Sequence, residues 1–183
     1  AFATIAGSVA AFVGISSLAR WFKNTTEQAK ESEQSMIRLR AAMEAFDPQA
    51  KMSAESVREW ATDIQKLTNV SNEQVESLVG RFLPATKSTA GAMYLSSLAA
   101  KAQRAGWLDA AGAADRLGAA LYGRTIKGQD QLSKLLYEGA TAGRRFEDTL
   151  SDIDAALVKA TDHAETAREA IESVQNSMEF GYM

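Results

Sequence analysis

The residues that come closest to a chemical motif are 118–125 (GAALYGRT), which nearly match a nucleotide-binding P-loop. A P-loop needs a lysine that reaches the phosphates and a strand before the loop, so that its backbone amides point at the ligand. Arg124 stands at the lysine position here, and no strand pattern precedes it. We therefore expect a helix that ends at Gly123 and no nucleotide binding.

Acid–base or metal chemistry needs carboxylates or imidazoles that share a face. The single histidine, His163, stands beside an apolar stripe at a position that favours solvent exposure. Asp152 and Asp154 do not face each other on a helix, and Arg144-Arg145 is typical of a surface pair at a helix start. No cluster has metal-ligand spacing. We predict no catalytic, metal-binding or cofactor-binding residue and expect no enzymatic activity.

The composition predicts an all-α protein. Alanine is the commonest of the 183 residues, and Pro48 and Pro84 are the two prolines. Alanine has the lowest cost in a helix and proline the highest, while period-two runs typical of strands are missing. Cysteine is absent, which removes disulfide and thiolate chemistry. Residues 144–183 hold nine acidic and four basic side chains, a balance that opposes direct binding to nucleic acid.

Two long heptad patterns enclose several shorter ones, which predicts two long heptad-seamed helices flanking a compact bundle of short alanine-rich helices. We expect residues 1–46 to run from an uncharged segment into a long helix, residues 53–140 to form the bundle, and residues 144–180 to form a long coiled-coil-like helix. Such seams are typical of helices packed lengthwise, either on each other or on copies in an oligomer. The predicted oligomer or helix-packing seam consists of Ile15, Leu18, Phe22, Met36, Leu39, Met43, Phe146, Leu150, Ile153, Leu157, Ile171, Val174 and Met178.

Capping and stop signals divide the bundle into short helices, which are marginal alone and must pack on one another. The predicted N-caps are Ser53, Ser71, Asp109 and either Gln129 or Asp130. The predicted helix ends are Asp47-Pro48, residues 68–70, Pro84, Gly106, Gly123 and a position near Gly139. The helix after Ser53 is predicted to bury Val57, Trp60, Ile64 and Leu67.

Residues 1–19 carry no charge and are about long enough to span a bilayer as a helix. Small residues at four-residue spacing also suit close packing against other helices, so burial against protein and membrane insertion both stay open. The apolar residues of this possible membrane segment are Phe2, Ile5, Val9, Phe12, Val13, Ile15 and Leu18. The chain starts without methionine, so we expect it to be part of a longer polypeptide.

The order of helices and turns in residues 68–136 resembles the helical region of tail tape-measure proteins of long-tailed bacteriophages and prophages. In that family an amphipathic helix ends in a short turn before a Ser-x-x-Glu/Gln start, here residues 67–74 (LTNVSNEQ). An alanine-rich helix and a Gly-to-Asp turn follow, here residues 100–109 (AKAQRAGWLD). Another alanine-rich helix then ends in glycine, here residues 110–123. The uncharged segment upstream and the heptad helix downstream also resemble the family.

This resemblance implies a virion protein that forms an extended helical assembly in the lumen of the tail tube and sets tail length. It implies self-association, for which we favour a trimer, and contacts with tail-tube and tail-tip proteins. It also implies release at infection, when such proteins assist DNA passage across the host inner membrane. The alternative is a membrane-active helical protein of the pore-forming or secretion-translocator type, although that class usually carries a hydrophobic hairpin and this chain has one uncharged segment.

Overall fold

The structure is a computed structural model, and it describes residues 32–180. Within that range the chain forms seven α-helices and no strand, which confirms the all-α prediction. The helices are α1 (Ser32–Phe46), α2 (Ala54–Thr68), α3 (Asn72–Thr86), α4 (Thr89–Arg104), α5 (Ala110–Leu121), α6 (Gln131–Thr141) and α7 (Phe146–Phe180). The beginning of the predicted N-terminal helix and the whole possible membrane segment lie outside the described residues.

Helices α3 and α4 form an antiparallel pair at the centre of the bundle, because a connection of only two residues joins them. Helix α1 packs along α3 in the same direction and is therefore antiparallel to α4. Near its start, the Ser35 hydroxyl donates a hydrogen bond to the Glu76 carboxylate of α3 at 2.6 Å. After its end, the Asp47 carboxylate accepts a hydrogen bond from the Thr89 amide of α4 at 2.7 Å. The starts of α1 and α3 and the end of α4 therefore lie together, at what we call the Glu76 end of the bundle.

Helix α4 is surrounded because its side chains are small. It packs against α3 and α5, and it also contacts α2 and α7. Alanine at a contact allows two helix axes to approach at the short end of the usual range of about 8–10 Å. The completely buried apolar residues of α4 are Ala92, Leu95, Leu98, Ala99, Ala100 and Ala102. One continuous apolar core results, to which α1 and the first part of α7 also contribute.

Most helix boundaries follow the predicted capping signals. The Ser71 side chain accepts a hydrogen bond from the Gln74 amide at 3.2 Å, and Asn69 closes the preceding helix in the left-handed conformation with φ 60°. Gly106 has φ 71° and ends α4 while the Trp107 amide donates to the Ala102 carbonyl, an arrangement typical of glycine-terminated helices. The N-caps predicted at Ser53, Ser71, Asp109 and Asp130 are confirmed.

Pro84 was predicted to stop α3, and this prediction is wrong because the helix continues to Thr86. A proline removes one amide donor, but other donors close the last turn. The Lys87 amide donates to the Leu83 carbonyl at 2.8 Å, and the Thr86 hydroxyl donates to the Phe82 carbonyl at 3.0 Å. With these bonds in place, the helix extends past the proline.

The predicted apolar stripe of α2 is correct at Val57 and Ile64 and wrong at Leu67, which is 66% exposed. The buried face instead runs through Ala54, Ala61 and Thr68. Thr68 is accommodated because its hydroxyl donates to the Ile64 carbonyl at 2.7 Å, so no polar group is left unsatisfied. Trp60 packs at the edge of the core and is partly buried.

The end of α6 was predicted near Gly139 and lies two residues further on, at Thr141, followed by Gly143 with φ 67°, so Gly139 itself is inside the helix. Its role is to let α6 and α7 cross closely. A Cβ atom added at Gly139 would lie 2.6 Å from Cγ2 of the Thr149 side chain on α7, and Thr149 itself is buried. Real carbon atoms do not approach so closely without bonding, so this crossing requires glycine.

We predict that Gly139→Ala destabilises the fold by about 1–3 kcal/mol, because the added methyl group overpacks the α6–α7 crossing. Gly118→Ala is the matched control. Gly118 also lies inside a helix, but an added Cβ meets nothing within 4 Å, so alanine should stabilise by about 0.5–1 kcal/mol through helix propensity. Urea unfolding measures both changes. Adding Thr149→Ala should restore part of the Gly139→Ala loss, and equal effects of the two glycine substitutions would contradict the proposed crossing.

Candidate functional site

The predicted seam divides into a buried part and a part outside the described side chains. Met36, Leu39 and Met43 on α1 are buried in the bundle core. Leu150, Ile153 and Leu157 on α7 are completely buried in the same core, and Phe146 packs against it. Ile15, Leu18 and Phe22 lie outside the described residues, as do the side chains of Ile171, Val174 and Met178. Where the seam is described, it is therefore covered by helices of the same chain.

Helix α7 continues far past its buried part. Two ion pairs join it to α4: Lys101 Nζ lies 2.8 Å from the Asp154 carboxylate, and the Arg104 guanidinium lies 3.1 Å from the Glu165 carboxylate. Arg104 is the last residue of α4, whereas α7 runs on to Phe180, about 22 Å further at about 1.5 Å per residue. We call residues 158–180 the α7 extension. It leaves the bundle at the Glu76 end, where α4 stops.

A buried carboxylate holds three helices together at the same end. The Glu76 side chain is fully buried, and Arg58 Nε donates to Glu76 Oε1 at 2.8 Å. The Ser35 hydroxyl donates to Glu76 Oε2, so α1, α2 and α3 meet at one group. The hydrogen bond to Glu76 holds the pKa of Arg58 above its ordinary value. Because both carboxylate oxygens have partners from the protein, this cluster stabilises the fold and offers no open site for a ligand.

A second polar cluster fixes the loop between α5 and α6. The Ser133 hydroxyl and amide both donate to the Asp130 carboxylate, at 2.7 Å and 2.8 Å, and Arg116 Nε donates to the Ser133 hydroxyl at 3.1 Å. Partial burial alone would raise the pKa of Asp130. The hydrogen bonds from Ser133 and the charge of Arg116 together lower this pKa by more than burial raises it, so its net shift is downward. Gly128 packs against this cluster, where a Cβ atom would lie 2.8 Å from the Asp130 carboxylate. The groups bind one another and position the start of α6.

The residues considered for catalysis are separated in the structure. His163 is exposed on α7, Asp152 pairs with Arg144, and Asp154 pairs with Lys101 of α4. Gly123 has φ 70° just after α5, which confirms the helix end predicted in the P-loop-like stretch. In the part of the chain that the structure describes, no group of three or more His, Asp or Glu residues could hold a metal ion.

The bundle surface carries a shallow cleft next to its polar side chains. The cleft has a volume of 230 Å³ and lies between the end of α1 and the start of α2, next to Arg40, Asp47 and Glu55. It is open to solvent, and Arg40 already pairs with Glu55 across it. Within residues 32–180, no helix combines the length and the apolar character needed to cross a membrane.

Two structurally important residues were not predicted. Glu76 stands within the apolar stripe that includes Val75 and Val79, and a carboxylate in such a stripe is a signal of a buried polar partner. Asp47 was interpreted as part of a helix stop, yet its carboxylate satisfies the first amide of α4. No local sequence pattern predicts this contact, because Asp47 and Thr89 are far apart in the chain.

Comparisons with protein-family models, curated proteins and solved structures find no match to this chain.

We predict that Arg58→Ala destabilises the fold by about 3 kcal/mol, because it leaves the fully buried Glu76 carboxylate without its cation. This expected loss of stability is at the low end of the range for breaking a buried ion pair, because the Arg58 side chain is partly exposed. Arg40→Ala is the matched control, because the Arg40–Glu55 pair is more than half exposed on both sides and solvent screens it. Urea unfolding at neutral pH compares the two variants. Equal, small losses would show that Glu76 does not depend on Arg58.

We predict that Asp130 contributes stability that is present at neutral pH and lost in acid. Its pKa is lower in the folded chain than the ordinary value of 3.8, so the unfolded chain takes up the proton first as the pH falls. The free energy of unfolding should therefore fall below about pH 4, through the folded pKa. Asp130→Asn should lower stability at pH 7 and flatten this acid dependence, as measured by urea unfolding at pH 7 and pH 3. A variant with an unchanged slope would contradict the assignment.

Proposed function

We propose that this chain is a structural part of a phage tail protein of the tape-measure type, with a mechanical role. The main support is that the residues on which the resemblance rests occupy the turns and caps of the fold. Asn69 has the left-handed conformation, Ser71 and Asp109 cap helices, and Gly106 and Gly123 end them with positive φ. The order of short helices in the resemblance is thus the order of structural elements in the bundle.

The α7 extension supports a role in measuring length. A helix that continues about 22 Å past its last described ion pair converts residue count directly into distance. A compact bundle of short helices followed by such a rod suits a chain that repeats along a tube. We propose that the chain assembles as a homo-oligomer, a trimer in our proposal, inside the tail tube, in contact with tail-tube and tail-tip proteins.

The polar groups of the bundle also favour a mechanical role. Glu76 and Asp130 are the centres of its two polar clusters, and each is bonded by side chains of its own chain. Both clusters hold helices in place, and their oxygen atoms are directed at protein donors. Release at infection, assistance to DNA passage and contact of residues 1–19 with the host inner membrane belong to the same proposal.

The direct test of this function is the length of the tail. Insertion of four heptads between Ala170 and Ile171 of the parent gene in its virus or prophage should lengthen the tail by about 42 Å, at about 1.5 Å per residue. The control is an insertion of equal size between Arg124 and Thr125, two exposed residues in the loop before α6. The control should leave tail length unchanged. Electron microscopy of purified tails measures both, and tails of equal length in the two strains would refute the proposed function.

A further inference from the structure

The chain enters and leaves the bundle at the same end. Helix α1 begins there, because the Ser35 hydroxyl donates to the Glu76 carboxylate near the start of α3. Helices α3 and α4 are antiparallel and almost equal in length, so the end of α4 lies beside the start of α3. Helix α7 leaves beside the end of α4, since Glu165 pairs with Arg104. A force that separates the entry point from the exit point therefore acts across the helix axes at the Glu76 end.

The two helices at these points pack on different partners. Helix α1 packs chiefly on α3 and α2, whereas α7 packs chiefly on α4 and α6. Pulling the start of α1 away from the bundle therefore separates it from α3. Pulling the outer part of α7 away separates that helix from α4. Both separations begin at the Glu76 end and proceed towards the opposite end of the bundle.

The contacts of α1 follow one another along the helix. The first is the hydrogen bond from Ser35 to Glu76 at 2.6 Å. Buried apolar side chains come next, among them Leu39, which is 2% exposed. The last is the hydrogen bond from the Thr89 amide to the Asp47 carboxylate at 2.7 Å, at the opposite end of the bundle. A force across the start of α1 loads these contacts one after another in this order.

The contacts of α7 form a similar series from its outer part inwards. The first is the ion pair of Glu165 with Arg104 at 3.1 Å, in which the carboxylate side chain is 56% exposed. Val158 is itself exposed, and Leu157 is completely buried. Further in, Asp154 forms an ion pair with α4 at 2.8 Å. The first contact to carry the load is thus a partly solvated charge pair, and the apolar core follows only later.

We propose that tension between the points where the chain enters and leaves opens the bundle by peeling. Because the contacts of α1 and of α7 are loaded one at a time, the force needed at each step is that of a single contact. The bundle is then an extensible link, which lengthens under a low force applied through the chain on either side. It withstands a higher force applied along its helices. This inference rests on contacts within one chain and does not depend on the proposed function.

Force spectroscopy on the full chain tests the peeling. The chain has no cysteine, so handles attach only at introduced positions. Ile37→Cys with His163→Cys, the peeling pair, pulls on two exposed residues near the entry and exit points. Ile37→Cys with Ala90→Cys, the sliding pair, is the matched control, because Ala90 is exposed at the start of α4, at the opposite end of the bundle. The sliding pair loads α1 along its axis, so α1 must slide past α3.

The peeling pair should open in steps. The span from residue 37 to residue 163 should lengthen by about 400–440 Å in total, at about 3.3–3.6 Å per residue. The sliding pair should break in one event at a force at least about twofold higher, because forced unfolding is governed by the unfolding barrier and sliding breaks all contacts of α1 together. Equal rupture forces in the two pairs, or a higher force in the peeling pair, would overturn the inference.

Two further variants of the peeling pair test the order of the contacts. Ser35→Ala combined with Glu165→Ala removes the contacts that carry the load first, so the first rupture should occur at a lower force. Asp47→Ala removes the last contact of α1, so it should lower the force of later ruptures only. A first rupture that responds to Asp47→Ala, or that does not respond to the double substitution, would also contradict peeling from the Glu76 end.

Discussion

The fold depends on close packing around α4. Large side chains at a contact keep two helix axes far apart. With large side chains on α4, this helix could contact only some of its neighbours. On α4, Ala92, Ala99 and Ala102 are completely buried, and α2, α3, α5 and α7 all contact the helix. Each buried alanine contributes little area, but it allows dispersion contacts from several helices at once. The leucines Leu95 and Leu98 fill the spaces that remain between them.

Helix α7 has two parts with different surroundings. Its first part is an ordinary core helix, with Leu150, Ile153 and Leu157 inside the bundle and Thr149 against Gly139. Its second part is held to Arg104, the last residue of α4, by Glu165 and then leaves the bundle. A single heptad pattern covers both parts, so the sequence alone does not reveal where the chain's own core ends. In the structure, the buried part of α7 ends at Leu157, and Val158 is already exposed.

Local chemistry made the helix boundaries predictable. A serine or aspartate cap and a glycine with positive φ act within a few residues, and Ser71, Asp109 and Gly106 were identified on that basis. The features that were missed depend on distant partners. Gly139 is explained by Thr149 on the next helix, and Asp47 by the start of α4. The misplaced stripe of α2 has the same origin, because the buried face is chosen by the neighbouring helices, which a single helical pattern does not contain.

The central claim is that small side chains on α4 hold the bundle together, and a single enlargement tests it most directly. Ala99→Leu adds three carbon atoms at a completely buried position, while Ala41→Leu adds the same atoms at an exposed position on α1. Urea unfolding should show a loss of about 3 kcal/mol or more for Ala99→Leu, since overpacking forces helices apart, and almost no change for Ala41→Leu. Equal stability of the two variants would contradict the account.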